Sequence, residues 1–197
     1  MRNKYAKNLC GIDEAGRGPF AGPLVVAGVV LKKNIKELDD SKKLTEKKRE
    51  KLFDIIKENS SFHIVFKSAQ QIDDLGLSLC LKQSIQEIQE NIEAEQYLMD
   101  GNTTFGVENL SFLVKADAQI KEVSAASILA KVSRDRFMVE ISNKYPQYSF
   151  EKHKGYGTKV HVDAIIKYGY CKIHRRSFKI KKIEQMRLDE PTLDIFT

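Results

Sequence analysis

Asp13 and Glu14 stand side by side where an apolar run (Leu9, Cys10, Ile12) gives way to Gly16-Arg17-Gly18 and Pro19. Asp100 ends the apolar stretch of "YLMDGN", and Asp117 ends that of "FLVKADAQ". Each acid alone has an ordinary structural use: Asp100-Gly101-Asn102 makes a good turn, and an Asp after a strand commonly caps a helix. Carboxylates from three separate strand ends are harder to explain that way, because tips of strands in an open α/β sheet are where sites form. Like charges in one cleft repel and raise one another's pKa unless a cation sits among them. A cluster offering only oxygen suits a hard ion, Mg²⁺ or Mn²⁺, rather than zinc. The neighbouring Gly16-Arg17-Gly18 strips side chains from the turn beside the first acid pair, so a ligand is expected to come close to that backbone.

The elements that must position these residues alternate between strand and helix. Residues 9–14 and 24–31 ("LVVAGVVL") read as strands, and 62–68 alternates with period two. Thr45 caps a helix with a Leu52, Phe53, Ile55, Ile56 stripe, and residues 77–94 carry Leu81, Ile85, Ile88 and Ile92 at helical spacing. Strands at about 96–100 and 111–115 follow, then a helix over about 123–143 whose Ala125, Ala126 and Ala130 allow close approach to a sheet. The expected fold class is α/β, a mixed sheet with helices on both faces.

Charge is unevenly placed along the 197 residues. Residues 151–182 hold ten Lys/Arg against Glu151 and Asp163, a net of +8, so the other 165 residues carry −2 of the total +6. Tyr156, Tyr168, Tyr170 and Phe178 lie among those cations, and basic residues interleaved with aromatics are the footprint of a nucleic-acid surface. No apolar run is long enough for a membrane span, and residues 1–8 are polar and basic, without a signal-peptide core. Three scattered cysteines, Cys10, Cys80 and Cys171, argue against a disulfide framework or a zinc site and fit a reducing cytoplasm.

The chain resembles bacterial ribonuclease HII from Gly11 to about Phe178. The resemblance rests on "DEAGRGPFAGPLVVAGVVL", "DDSKKLTEKKRE", "YLMDGN", "VKAD", "SAASILAKVSRDRFM", "HKGYGTKVH" and "HRRSF", in family order. It departs in "KAD", where Lys-Gly-Asp is usual, and in the missing proline after "SF". The resemblance implies a ribonuclease H-like fold with a C-terminal helical basic segment: a catalytic core over 1–143, a substrate-binding segment of the same domain over 144–182, and an acidic tail over 183–197. It implies an endonuclease that cuts RNA in RNA–DNA hybrids, including single ribonucleotides in duplex DNA, on the 5′ side, leaving 3′-hydroxyl and 5′-phosphate ends. Asp13, Glu14, Asp100 and Asp117 fall on the family's acidic positions, Gly16, Arg17 and Gly18 on the segment that reads the ribose, and Tyr156 on the tyrosine that meets the adjoining sugar. Two divalent ions would then serve hydrolysis, Asp13 and Asp100 bridging them, with Glu14 and Asp117 each on one side.

That reading accounts for the bare turn. A 2′-hydroxyl both donates and accepts a hydrogen bond, and backbone groups reach it only where no Cβ intervenes. Arg17 is placed to clamp a phosphate. For Ser41, Lys42 and Lys43, phosphate contacts and a solvated loop stand equally; Arg175 and Arg176 are expected to contact phosphates, and His153, His161 and His174 to face substrate or serve structure. A monomer is expected. The terminal "TLDIF" (192–196) is similar to the Gln-Leu-x-Leu-Phe peptides that dock on bacterial sliding clamps, with Thr192 in place of glutamine; the other reading is that this apolar tip packs on the body. The rival functions are a non-catalytic hybrid-binding module, which has no need of four acids, and an integrase- or resolvase-like DNA nuclease, which has no need of a bare Gly-Arg-Gly.

Overall fold

The computed structural model describes residues 8–38 and 44–189, with side chains up to residue 186. Five strands form one sheet in the order β3-β2-β1-β4-β5: β1 Leu9–Ala15, β2 Leu24–Leu31, β3 Ser60–Lys67, β4 Gln96–Asp100 and β5 Leu110–Leu113. β1, β2 and β3 form an antiparallel meander, whereas β4 and β5 lie parallel to β1. The expected mixed sheet is therefore found. Ile12 lies beside Met99 and Asp100 beside Leu113, so the register brings the ends of β1, β4 and β5 to one edge of the fold.

Period-two alternation assigns the two faces of β1. Cys10 and Ile12 join Leu24 and Val26 of β2 under α3 (Leu77–Asn91), whose Leu81, Ile85 and Ile88 are buried. Gly11 and Asp13 face the other way, toward α4 (Lys121–Ser142). A Cβ at Gly11 would lie 2.2 Å from the backbone carbon of Glu122, so the glycine lets this helix touch the strand. Along the same side, Ala125, Ala126, Leu129 and Ala130 of α4 pack with Val25, Ala27 and Val29 of β2 and with Leu52, Phe53 and Ile56 of α1 (Glu46–Glu58). Thr45 caps α1 as expected, accepting from the Lys48 N–H, but Ile55 of the expected stripe is exposed. Helix α2 (Ala69–Leu75) has no counterpart in the sequence reading; Ser68 and Gln71 close its first turn reciprocally, and Gly76 at φ 77° separates it from α3. Among the described residues, no helix is long and apolar enough to cross a membrane.

Beyond α4 the chain forms α5 (Phe150–His153), α6 (Lys159–Tyr168) and α7 (Lys181–Asp189). Their apolar residues Phe150, Ile165 and Ile183 gather with Ala21 of the β1–β2 connection and Met138 of α4. Inside this cluster His161 and His174 are buried at 0% and 2% exposure. Burial pushes their pKa values down to about 4 and about 3, from 6.5. An unfolded chain thus takes up these two protons first. Their contribution to stability is intact above pH 6.5, drains away as pH falls, and is gone below the folded-state values. The raised carboxyl of the buried Asp13 acts with the opposite sign but is common to parent and variant, so the test is a difference. Between pH 7.5 and pH 5 the urea midpoint of a His161→Asn variant is expected to fall less, or rise more, than that of the parent; equal changes in the two would contradict this account.

Candidate active site

Asp13, two residues before the end of β1, is only 7% exposed. Its Oδ1 accepts the Glu14 N–H at 2.8 Å, and the Ser127 hydroxyl of α4 also bonds it. Burial and the charges of Glu14 and Asp100 raise its pKa to about 8, against the opposing pull of those hydrogen bonds. Burial likewise raises Glu14, while Arg17 lowers it through a 2.6 Å contact between Arg17 Nε and Glu14 Oε1. The other oxygen, Glu14 Oε2, is buried without a hydrogen-bond partner. Asp100 closes β4, and its Oδ1 accepts the Ala116 N–H at 2.8 Å, which ties it to the turn that carries Asp117. That turn corrects an expectation: β5 stops at Leu113, and Asp117 lies in a 3-10 turn over Ala116–Ala118, entered through Lys115 at φ 59°. Lys115 adopts the left-handed conformation itself, so the alanine that replaces the usual glycine is tolerated as the fully buried Ala116.

The four acids fit a hard divalent cation in donor chemistry. All offer oxygen, Asp13 and Glu14 both feel the charge of Asp100, and one buried carboxylate oxygen has no partner. They do not form a closed cage by themselves; among the described residues no three His, Cys, Asp or Glu side chains are gathered as a ready-made metal site.

The turn after β1 divides its two glycines by role. Gly16 sits at φ 100°, and a Cβ there would lie 2.3 Å from Arg134 Nε and 2.6 Å from the Pro23 carbonyl. Its missing side chain is thus required by the protein's own packing. Gly18 has nothing within 4 Å of a would-be Cβ and leaves open space over the backbone. Two buried arginines, each 1% exposed, hold this loop from beneath. Arg134 of α4 donates to the carbonyls of Pro23, Ala21 and Lys154 at 2.9–3.0 Å. Arg175 donates to the carbonyls of Gly22 and Arg17 at 3.0 and 3.1 Å. The expectation that Arg175 contacts a phosphate is therefore corrected: its guanidinium is buried, with Nε and Nη1 donating to backbone carbonyls. Arg176 is exposed, and its N–H donates to Asp73 at 2.8 Å. Ser41, Lys42 and Lys43 lie outside the described residues, as does the tail 192–196.

Tyr156, 46% exposed, shares a cleft of about 310 Å³ with Glu14, Ala15, Gly16, Arg17, Gly18, Ser127 and Lys131. The Phe20 N–H donates to the Gly155 carbonyl at 2.8 Å, and the Arg134 guanidinium lies 5.8 Å from the Tyr156 ring centroid. The structure therefore brings Glu14, the Gly-Arg-Gly turn and Tyr156 to one cleft, with Asp13 in contact with its Ser127. Larger clefts of about 470 and 540 Å³ lie elsewhere and include none of the four acids. Ser127, Lys131 and Arg134 are absent from the sequence reading, although their spacing of four and three residues within "SAASILAKVSRDRFM" places them along one side of α4.

Comparison with known proteins identifies the family of the chain. The family model described as Ribonuclease HII matches residues 10–181. A ribonuclease HII of Sulfurovum sp. (strain NBC37-1) is 61% identical over 193 residues, covering 98% of this chain and all of that relative. The crystal structure of ribonuclease H2 from Pyrococcus horikoshii OT3 superposes with a TM-score of 0.77 at 28% identity, covering 93% of this chain and 99% of that one. Ribonuclease HII from Archaeoglobus fulgidus, solved as a PCNA:RNase HII complex, gives 0.76 at 26% identity over 88% of this chain and 96% of that one. With the acids, the bare turn and the tyrosine in place, the chain belongs to the ribonuclease HII family of metal-dependent endonucleases.

Proposed function

We propose that this chain hydrolyses the RNA strand of RNA–DNA hybrids and cuts at single ribonucleotides in duplex DNA, on the 5′ side, leaving 3′-hydroxyl and 5′-phosphate ends. One observation carries the reading: the acid pair Asp13–Glu14 and the turn Gly16-Arg17-Gly18 are consecutive, and Tyr156 lines the same cleft. A ribose checked at the turn is thereby held within one loop's reach of the carboxylates.

The division of labour follows from the surroundings of each residue. Gly18 leaves backbone groups open to a 2′-hydroxyl, which both donates and accepts. Arg17, with 42% of its side chain exposed, holds Glu14 and offers the rest of its planar fork to a phosphate. The Tyr156 ring stacks on the sugar beside the ribonucleotide. Ser127 orients Asp13. Asp13 and Asp100 would each help to hold both of two Mg²⁺ or Mn²⁺ ions, and Glu14 and Asp117 would each hold one. When bound, such ions supply an activated water and charge stabilisation at the departing oxygen. Residues 144–182 act as the substrate-binding part of the same domain as the 1–143 core, and the exposed Lys152, Lys159, Lys172 and Arg176 supply phosphate contacts. The chain works as a monomer in the cytoplasm, where its free cysteines stay reduced.

The first test is cleavage of a duplex with one embedded ribonucleotide, with Mg²⁺ or Mn²⁺, against the same duplex carrying a deoxyribonucleotide. Only the ribonucleotide strand is expected to be cut; equal cutting of both would make the chain a general DNA nuclease. Asp100→Asn keeps the oxygen that accepts the Ala116 N–H, so the fold is retained and nearly all cleavage is lost. A variant still cutting at more than about a tenth of the parent rate would remove Asp100 from the ion site.

The two glycines separate recognition from packing. Gly16→Ala is expected to lower the melting temperature, by roughly 4–8 °C for a cost of about 2 kcal/mol. Gly18→Ala is expected to leave melting unchanged while slowing cleavage at least about tenfold, since only an incoming sugar meets its methyl group. Full activity of Gly18→Ala would exclude the turn from sugar recognition.

The PCNA complex of the Archaeoglobus fulgidus enzyme supports a tether role for "TLDIF", residues 192–196: docking on a sliding clamp would raise the enzyme's local concentration on newly made DNA. Deleting 192–197 is expected to abolish clamp capture in a surface assay and to leave cleavage of a short duplex intact. A full-length chain that does not bind the clamp, or a truncation that unfolds, would make the tail a structural latch.

A further inference from the structure

Three histidines surround the base of Tyr156, and their partners fix a single tautomer for each. His161 Nδ1 lies 2.9 Å from the Tyr156 carbonyl, so it carries the proton and donates. His161 Nε2 is then an acceptor. His174 Nδ1 accepts the Cys171 N–H at 2.8 Å, so its proton is on Nε2, which faces His161 Nε2 at 3.0 Å. The result is a directed chain: Cys171 N–H to His174, His174 to His161, His161 to the Tyr156 carbonyl. His153 completes the cradle, its Nε2 donating to the Tyr148 carbonyl at 2.8 Å and its Nδ1 accepting the Gly155 N–H at 3.2 Å.

Neither buried imidazole is needed for bulk, since aromatic or aliphatic side chains fill apolar clusters without the cost of burying polar nitrogens. Their polarity does one thing that packing does not. It sets the height of the Tyr156 backbone against the 171–174 segment. The next residue in that segment, Arg175, holds the Arg17 carbonyl at 3.1 Å. Both walls of the cleft thus hang from the adjacent pair His174 and Arg175, one through His161 and one directly.

We propose that the His174–His161 pair positions Tyr156, acting with Arg175 as a caliper that fixes the distance between the tyrosine and the Gly-Arg-Gly turn and so the preference for a ribonucleotide flanked by DNA. This inference rests on the reading of Tyr156 as the side chain that meets the sugar. His161 and His174 are positioning residues and touch no reacting atom.

The test uses amide isosteres of the two ring nitrogens, read as KM and kcat on a single-ribonucleotide duplex and on a long RNA tract. Asparagine reproduces a donor at Nδ1 and glutamine one at Nε2. The chain to Tyr156 runs through both ring nitrogens of His161. His161→Asn keeps the Tyr156 bond but loses His174, and His161→Gln keeps His174 but loses the Tyr156 bond. Each is therefore expected to raise KM about tenfold on the single-ribonucleotide duplex, the worth of one buried hydrogen bond, with kcat and the RNA tract little changed. At His174 the two isosteres separate: Gln preserves the donor to His161 and is tolerated, while Asn loses it and raises KM as the His161 variants do. A structural role predicts equal losses for Gln and Asn at His174 and equal losses on both substrates, and either result would overturn the proposal. If one position does not tolerate substitution, the pair at the other decides. Tyr156→Ala is run alongside. Combined with His161→Gln it is expected to be no worse than alone, because the histidine acts through the tyrosine; additive losses would overturn the caliper. A Tyr156→Ala effect with silent histidine variants would overturn the caliper and leave the sugar-contact reading standing. A silent Tyr156→Ala would overturn both.

Discussion

Two guanidinium groups buried against backbone carbonyls set the shape on which the rest of the site depends. Taking a cation out of water is costly, and the cost is recovered only when its donors meet well-placed acceptors. Arg134 and Arg175 meet theirs in the carbonyls of Arg17, Ala21, Gly22, Pro23 and Lys154, so the loop between β1 and β2 is pinned at four of its residues and the Tyr156 loop at one. The arrangement is held under tension. Burial lowers the pKa of both arginines, that of Arg175 to about 9 with the nearby Arg134 charge adding to the effect, and Arg175 Nη2 is left without a hydrogen-bond partner. Loss of either loop's carbonyls would leave an uncompensated buried charge, which is why the loop conformation is rigidly specified.

On the other side of the same turn the sheet performs an equally costly act. Asp13 faces α4 because it shares a strand face with Gly11, and the helix that approaches so closely at Gly11 buries the carboxylate farther along. Asp100 arrives beside it through the parallel β1–β4 register. The acids are thus assembled by backbone pairing, and their mutual repulsion is imposed on them by the fold. Arg17 offsets the charge of Glu14, while the two buried arginines are committed to backbone carbonyls.

Much of this was legible in the chain. The apolar runs around Leu9, Leu24 and Leu98 located β1, β2 and β4, and the strand ends delivered Asp13, Glu14 and Asp100 where the sheet places them. Local pattern misjudged the residues whose roles depend on distant partners. Arg175 looks like Arg176 in "HRRSF"; only the fold, by bringing it to a carbonyl 158 residues away, buries one and exposes the other. Gly16 and Gly18 look alike for the same reason, and the difference lies in Arg134, which is far away in sequence. The end of β5 was overrun because Val114 continues the apolar pattern although the chain has already turned toward Lys115. Helix α2 is too short for periodicity to show, and its capping pair Ser68 and Gln71 was the available signal.

The order in which these parts leave the ribosome differs from the order in which they matter. β1 and its acid pair emerge before β4 and Asp100, and His174 and Arg175 follow both. The hydrogen bonds that seat the Gly-Arg-Gly loop span 111 to 158 residues of sequence, among the longest closures available to a chain of this size. A nascent molecule can therefore lay down its sheet well before it owns the clamps that shape the cleft. The shape of the cleft is thus completed by the last of these parts to be made, and until then the acids stand on a sheet whose neighbouring loop is unseated.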